Sequence, residues 1–291
     1  MLKRIVFSIV AIVASSSLFS EEFSKEYFDS FSYYFKCLQK EESNFSVSEQ
    51  TLYEKLIFLQ NMHNIVLDFL NTADDENFYD QLRQSKYFTR KLSEINNQIF
   101  SEIHQDRYCD RRIITLNGVP TPVYYAFYKR TSDHAPLSLT DDERKKLYED
   151  DLIRHKNVKF LPKQILNKKT LKTLVSGQTY NFIITLENKA YISYDQRYKL
   201  KDDASQTILS SPNHTLLAGN EPVLSVGVIN YYKVSNKELF VISCSSGHFH
   251  PQPDSLIYIK NYLMTLGIPE EAIINFAIAY EKIDAHLNAL K

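Results

Sequence analysis

The sequence predicts an α+β fold: a helical N-terminal module, then a mixed, mostly antiparallel sheet domain with covering helices. Three observations carry this. Up to residue 106 the apolar residues recur at helical spacing. From Arg107 the pattern changes to short runs rich in Val, Ile, Tyr and Phe, punctuated by turn residues. The stretches beside those runs carry helix caps and a Gly stop. A run of helices followed by a run of strands with covering helices reads as α+β.

The first twenty residues stand apart. Lys3 and Arg4 precede a short apolar core from Ile5 to Ala14, and Ser15 to Ser20 are mostly small and polar. This pattern reads as a secretory signal peptide over 1–20, with an apolar core too short to span a bilayer comfortably. An uncleaved N-terminal anchor is the competing reading. The expectation is an exported protein, periplasmic or secreted, without membrane attachment after cleavage.

Residues 21–106 form the helical module. Phe23, Tyr27, Phe31, Tyr34 and Leu38 share one helical face. Ser46-Val47-Ser48-Glu49 fits a capping box for the next helix. Leu52, Leu56, Leu59, Val66 and Leu70 make its apolar stripe, and His63 falls on it as a core or interface histidine. Asp74-Asp75-Glu76 suit another helix start. Phe78, Leu82, Phe88, Leu92, Ile95 and Ile99 continue the pattern to about Ile103.

Residues 107–291 form the sheet domain. Ile113–Leu116 and Val123–Tyr128 read as strands around Asn117-Gly118, although Pro120 and Pro122 argue against a tight hairpin. Thr140-Asp141-Asp142-Glu143 caps a short helix to about Asp151. Asn181–Leu186 and Lys189–Tyr194 make a hairpin, and Lys199–Ser205 a polar loop. Val223–Tyr232 and Glu238–Cys244 make a second hairpin. Gly227 lies mid-strand, the mark of a bulge or a close backbone approach. Asp254–Leu266 is a helix stopped by Gly267. Ala272–Tyr280 is a strand, with a helix as the competing reading, and Glu281–Lys291 ends helical.

The 291 residues carry a net charge of −1, which gives no footing for a polyelectrolyte partner such as a nucleic-acid scaffold. Cys37, Cys109 and Cys244 are too few and too scattered for a disulfide framework, though one bridge is open. Phosphate-binding Gly loops, nucleophile elbows and paired Cys-x-x-Cys motifs are absent from the sequence.

Chemistry concentrates in Ser245-Ser246-Gly247-His248-Phe249-His250-Pro251 and in His214-Thr215-Leu216-Leu217-Ala218-Gly219. With Pro222-Val223 and Gly227 between them, this order resembles the C-terminal domain of the plant IQ-motif-containing calmodulin-binding family and its uncharacterised bacterial relatives. That family carries His-Ser-Ser-Phe-x-x-Gly, a Gly in the next strand, and Ser-Gly-His-Tyr-x-Pro before a helix. The resemblance runs from about Asp141 to Ala277, and Glu143-Arg144-Lys145-Lys146-Leu147-Tyr148 looks like the family's Glu-Arg-Lys-x-Tyr element. It implies a shared fold and a His-bearing cleft. Thr215-Leu216 stands for Ser-Ser and Phe249 for Tyr. The calmodulin-binding element is missing, so calmodulin is not carried over as a partner.

Two imidazoles brought to one sheet end can divide base and acid work near neutrality. His214 and His248, with Thr215 and Ser246, are therefore the candidate catalytic residues. Arg144, whose planar fork suits an anion, is a candidate ligand-binding residue with Tyr191 and Gly219. A zinc reading of His214, His248 and His250 competes, but no metal is assigned, and the cofactor is left unknown. The alternative to catalysis is that Gly247 permits a turn and His248 caps it. Two functions follow. One is an exported, effector-like protein whose His-lined cleft acts on a nucleotide or phosphoryl-type ligand. The other is a non-enzymatic partner-binding protein in which the His motif is structural.

Overall fold

A computed structural model describes residues 51–104 (except 74, 77 and 85), 109–126, 140–154, 158–160, 163–194, 197–199, 208–210, 212–279, 283 and 286–288. The expected signal peptide, the face from Phe23 to Leu38 and the Ser46–Glu49 capping box lie outside the described residues.

The helices come first. α1 (Leu52–Thr72), α2 (Phe78–Gln84) and α3 (Lys86–Ile103) follow one another along the chain. The capping box at the start of α1 is made by Thr51 and Glu54: the Glu54 N–H donates to Thr51 Oγ1, and Glu54 Oε2 accepts from the Thr51 N–H. The stripe read from sequence holds, with Leu56, Leu59, Val66 and Leu70 buried and Leu52 half-buried. His63 is buried among them, edge-on to Tyr232 and Phe276.

An eight-stranded, mostly antiparallel sheet follows, so the fold is α+β. β1 (Arg111–Leu116) and β2 (Val119–Tyr124) form a tight hairpin after all. Asn117 and Gly118 take φ of 52° and 80°, the pattern of a type I′ turn. In a two-residue hairpin Leu116 and Val119 are the first hydrogen-bonded pair, so Pro120 and Pro122 fall on sites that donate nothing to β1. The missing N–H groups therefore do no harm to the ladder.

α4 (Asp141–Arg154) carries the expected Thr140 and Glu143 capping box. β3 (Val158–Phe160), β4 (Gln164–Ile165) and α5 (Lys168–Leu171) lead into β5 (Gln178–Thr185) and β6 (Ala190–Tyr194), the first long hairpin. β7 (Arg197–Lys199) and β8 (Ile208–Ser210) join β3 in a separate three-stranded sheet of order β3-β8-β7. The polar loop expected over Lys199–Ser205 lies, beyond Lys199, outside the described residues. α6 (His214–Ala218) is a short helix. β9 (Val223–Val234) and β10 (Lys237–Ser243) form the second hairpin, turning at Ser235-Asn236. α7 (Leu256–Thr265) ends at Gly267, whose φ of 97° suits glycine. β11 (Ile273–Asn275) is shorter than the strand read from sequence and pairs parallel to β10.

The main sheet runs β1-β2-β9-β5-β6-β4, with β10 on β9 and β11 on β10. One apolar core joins the N-terminal helices, this sheet and α7: Leu56, Leu59, Phe78 and Ile99 belong to it with Phe182, Phe240, Ile259 and Ile274. Polar bonds tie the same layers. Asn96 Oδ1 accepts from the Ile278 N–H at 3.0 Å, and Lys237 Nζ donates to the Ala73 carbonyl at 2.7 Å. A smaller core of Tyr124, Ala126, Ile183, Leu217, Val226 and Phe249 forms apart from it.

Candidate functional site

β9 is flanked unevenly. β5 pairs along most of one side. On the other side β10 pairs with Val228–Val234, and β2 reaches β9 at Tyr124 against Val223. Residues 224–227 therefore face a split in the sheet. The two chemistry-bearing segments meet there.

The first is α6, a one-turn helix. Its local sequence explains it. Asn213 is the N-cap and accepts from the Leu216 N–H at 3.0 Å and from Thr215 Oγ1 at 2.7 Å. Gly219 takes φ of 65° and returns its N–H to the Thr215 carbonyl at 2.9 Å. Leu217 and Ala218 bury against Ile183, Val223 and Val226. Ser193 Oγ fixes the entry by donating to the Pro212 carbonyl at 2.9 Å. Lys163 Nζ closes the exit, 3.3 Å from the Leu217 carbonyl and 4.8 Å from the Tyr191 ring centre.

This packing drives His214 into the split. Its Nε2 donates to the Gly227 carbonyl at 2.8 Å, which fixes the tautomer and leaves Nδ1 with the lone pair. Burial pushes its pKa down to about 4; the Gly227 bond works upward, and the charge of His248 works downward again. The imidazole is neutral at pH 7.

The second segment begins where β10 ends. A Cβ at Gly227 would run into the Ser243 carbonyl, 2.9 Å from its carbon and 3.1 Å from Cys244 Cα. The close backbone approach expected there is the one observed; the register irregularity of this ladder lies at Ile184/Thr185. Cys244 Sγ donates to the Ala277 carbonyl at 3.2 Å, as a buried structural thiol does. Residues 247–249 form a turn pinned by the fully buried Phe249. His248 is half-buried on that turn, and His250 is buried with φ of 43°, off any regular strand. Cys109 lies 3.9 Å from the Phe249 carbonyl, and burial raises its thiol to about 11.

The other candidates divide. Thr215 is fully buried and engaged with Asn213. Ser246 is buried, and its Oγ has no hydrogen-bond partner among the described residues. Arg144 is buried with its guanidinium 3.0 Å from the Ala126 carbonyl and 2.8 Å from Asp110 Oδ2, stacked on the Tyr125 ring. Tyr191 packs against the small core under Lys163. The sequence reading missed Asp110, which also bonds Arg112 Nε at 3.0 Å. Its charge could not be matched to Arg144 across 34 residues from spacing alone. Asn213 was legible as a cap, because an Asn six residues before a Gly brackets a short helix.

Among the described residues no three His, Cys, Asp or Glu side chains gather as a metal site requires. Two cavities, of about 450 and about 520 Å³, lie elsewhere, and neither is lined by His214 or His248. Comparison with protein-family models, curated proteins and solved structures finds no match to this chain.

Proposed function

We propose that this is an exported partner-binding protein in which the His214 and His248 segments are architectural. The observation that carries the reading is the bond from His214 Nε2 to the Gly227 carbonyl, inside a buried site that lowers the imidazole pKa to about 4. A base that weak takes little proton at neutral pH, and its acid form is scarcely populated there. The groups that would hold a phosphoryl ligand are also engaged: Arg144 by Asp110 and Ala126, Thr215 by Asn213. Partner binding draws support from large apolar side chains left in solvent on the β1-β2 hairpin, Ile113 at 63 % and Val119 at 60 % exposure. Export rests on the Lys3-Arg4 start and the apolar core behind it. The resemblance to the IQ-motif family's C-terminal domain fits a shared fold with a His-bearing turn, without calmodulin.

A catalytic reading keeps one specific observation: the buried Ser246 hydroxyl, without a partner among the described residues, two residues from the half-buried His248. Thermal unfolding of the full chain and of His248→Ala, with ATP, GMP and inorganic phosphate, separates the two. The architectural reading expects no ligand to raise Tm in either protein. Stabilisation of the unmutated chain by a nucleotide, lost in His248→Ala, would establish a cleft in its place.

A further inference from the structure

The cavity of about 450 Å³ lies between α3, the end of α2 and the outer edge of β11. Its volume is in the range of ligand sites. β11 pairs with β10 on one side and with no strand on the other among the described residues. In that ladder the Phe276 N–H donates to the Ile242 carbonyl at 2.8 Å. Backbone groups of a parallel strand alternate sides, so Phe276 and Ile274 face β10 while Ile273 and Asn275 face the cavity. The Ile273 N–H is taken by the Glu270 carbonyl. Asn275 is left to present the edge, and its side-chain Oδ1 is buried with no partner among the described residues.

The opposite wall is one face of α3. Thr89, Ser93 and Asn97 recur every fourth residue and all line the cavity. Leu82, Ile273 and Ile274 add apolar surface. The charges around it are matched within the protein: Arg83 to Glu271 at 2.8 Å, Arg90 to Glu94 at 3.2 Å and Lys260 to Glu270 at 2.8 Å. A lone phosphate or ammonium group would have to displace one of these pairs. A neutral ligand with amide donors and acceptors would not.

We propose that the groove between α3 and the outer edge of β11 binds a short extended peptide, which adds to the sheet at Asn275. Backbone pairing to a free edge supplies affinity in this mode, and side-chain pockets supply selectivity. One peptide N–H satisfies Asn275 Oδ1, alternate side chains meet the Leu82 and Ile273 surface, and the others face Thr89 and Ser93. The proposal names a partner for the binding reading and rests on that reading for the class of function, but it asks nothing of His214 or His248.

The test is amide chemical-shift mapping on the full chain with the blocked tetrapeptide acetyl-Thr-Val-Thr-Val-amide, and with maltose as a hydroxyl-only probe. The expected result is saturable shifts confined to β11 and the Thr89–Asn97 face. Asn275→Leu weakens the peptide at least tenfold by removing the acceptor. Ser93→Trp, on the helix wall, abolishes it by filling the groove, and His248→Ala leaves it unchanged. Three results overturn the proposal: no shifts on β11 at millimolar peptide, binding that survives both groove variants, or shifts at these residues from maltose alone. Loss in His248→Ala with both groove variants unaffected would sink the groove and leave partner binding standing at the His turn.

Discussion

His214→Leu separates a structural imidazole from a working one. The substitution removes the donor 2.8 Å from the Gly227 carbonyl and leaves that oxygen buried. The cost is about 1–3 kcal/mol at neutral pH. The imidazole also gives the wild type a pH dependence that leucine lacks. The unfolded ring binds its proton near pH 6.5, whereas the folded ring does so only at about 4. Its folded pKa is depressed, so the stabilisation is complete above 6.5 and is lost as pH falls toward 4. The unfolded state takes up the proton first through that window, and wild-type stability declines by about 2 kcal/mol at pH 5 and about 3 kcal/mol at pH 4 from this group alone. Other titrating groups act in both proteins and cancel in the difference. Urea unfolding at about pH 7.5, 6 and 5 measures it. The advantage of the wild type over His214→Leu should be full at the highest pH and be erased near pH 5. A difference that stays constant with pH, or a His214 ring proton titrating near its ordinary value by NMR, refutes the reasoning.

Gly227→Ala tests the crossing of the chain at the split. The atoms in the way are backbone atoms of Ser243 and Cys244, which have no rotamer to change. A loss of about 3 kcal/mol or more is expected in urea unfolding; a loss under about 1 kcal/mol would mean that the backbones are not in contact there. Arg144→Ala should cost about 3–5 kcal/mol, because Asp110 stays buried while its nearest cationic partner leaves. The two remaining bonds from Arg112 Nε and Nη2 to Asp110 favour the lower end of that range. A double-mutant cycle with Asp110→Asn reads the coupling directly, and a value near zero would reopen Arg144 as a ligand group.

The long elements were legible because each has a strong local pattern. The stripe of α1, the cap of α4 and the two long hairpins need only neighbours in sequence to be recognised. What escaped reading depended on distant partners. Pro120 and Pro122 argued against a hairpin until the turn phase put both on non-bonded sites. α6 is too short for periodicity, yet its Asn213 and Gly219 caps were present in the sequence. The strands β3, β7 and β8 are three residues each and owe their place to pairing across the chain. At the candidate site, strand order led to the expectation that His214 and His248 share one sheet end, and the His214 bond to the Gly227 carbonyl fixes the position of the first. The depth of His214 did not follow from strand order, because it depends on where β10 leaves β9.

That departure also accounts for the concentration of polar residues in a segment that looks like an active site. Wherever a strand loses a neighbour inside a protein, its backbone groups need other partners. β9 loses β10 after the Ser243–Val228 pair and meets β2 at Val223. The unpaired stretch between packs through Val226 in the same small core as Phe249, from the turn after Ser243, and the Gly227 carbonyl is taken by His214. A glycine is required where the chain crosses, a donor is required over the carbonyl, and a tight turn is required to bring Phe249 under α6. Gly227 and His214 have the residue types those demands select, whereas a Cβ at Gly247 would meet open space. A split sheet thus produces a Gly- and His-rich signature without any reaction to catalyse, and the pH dependence of His214→Leu distinguishes that origin from a catalytic one.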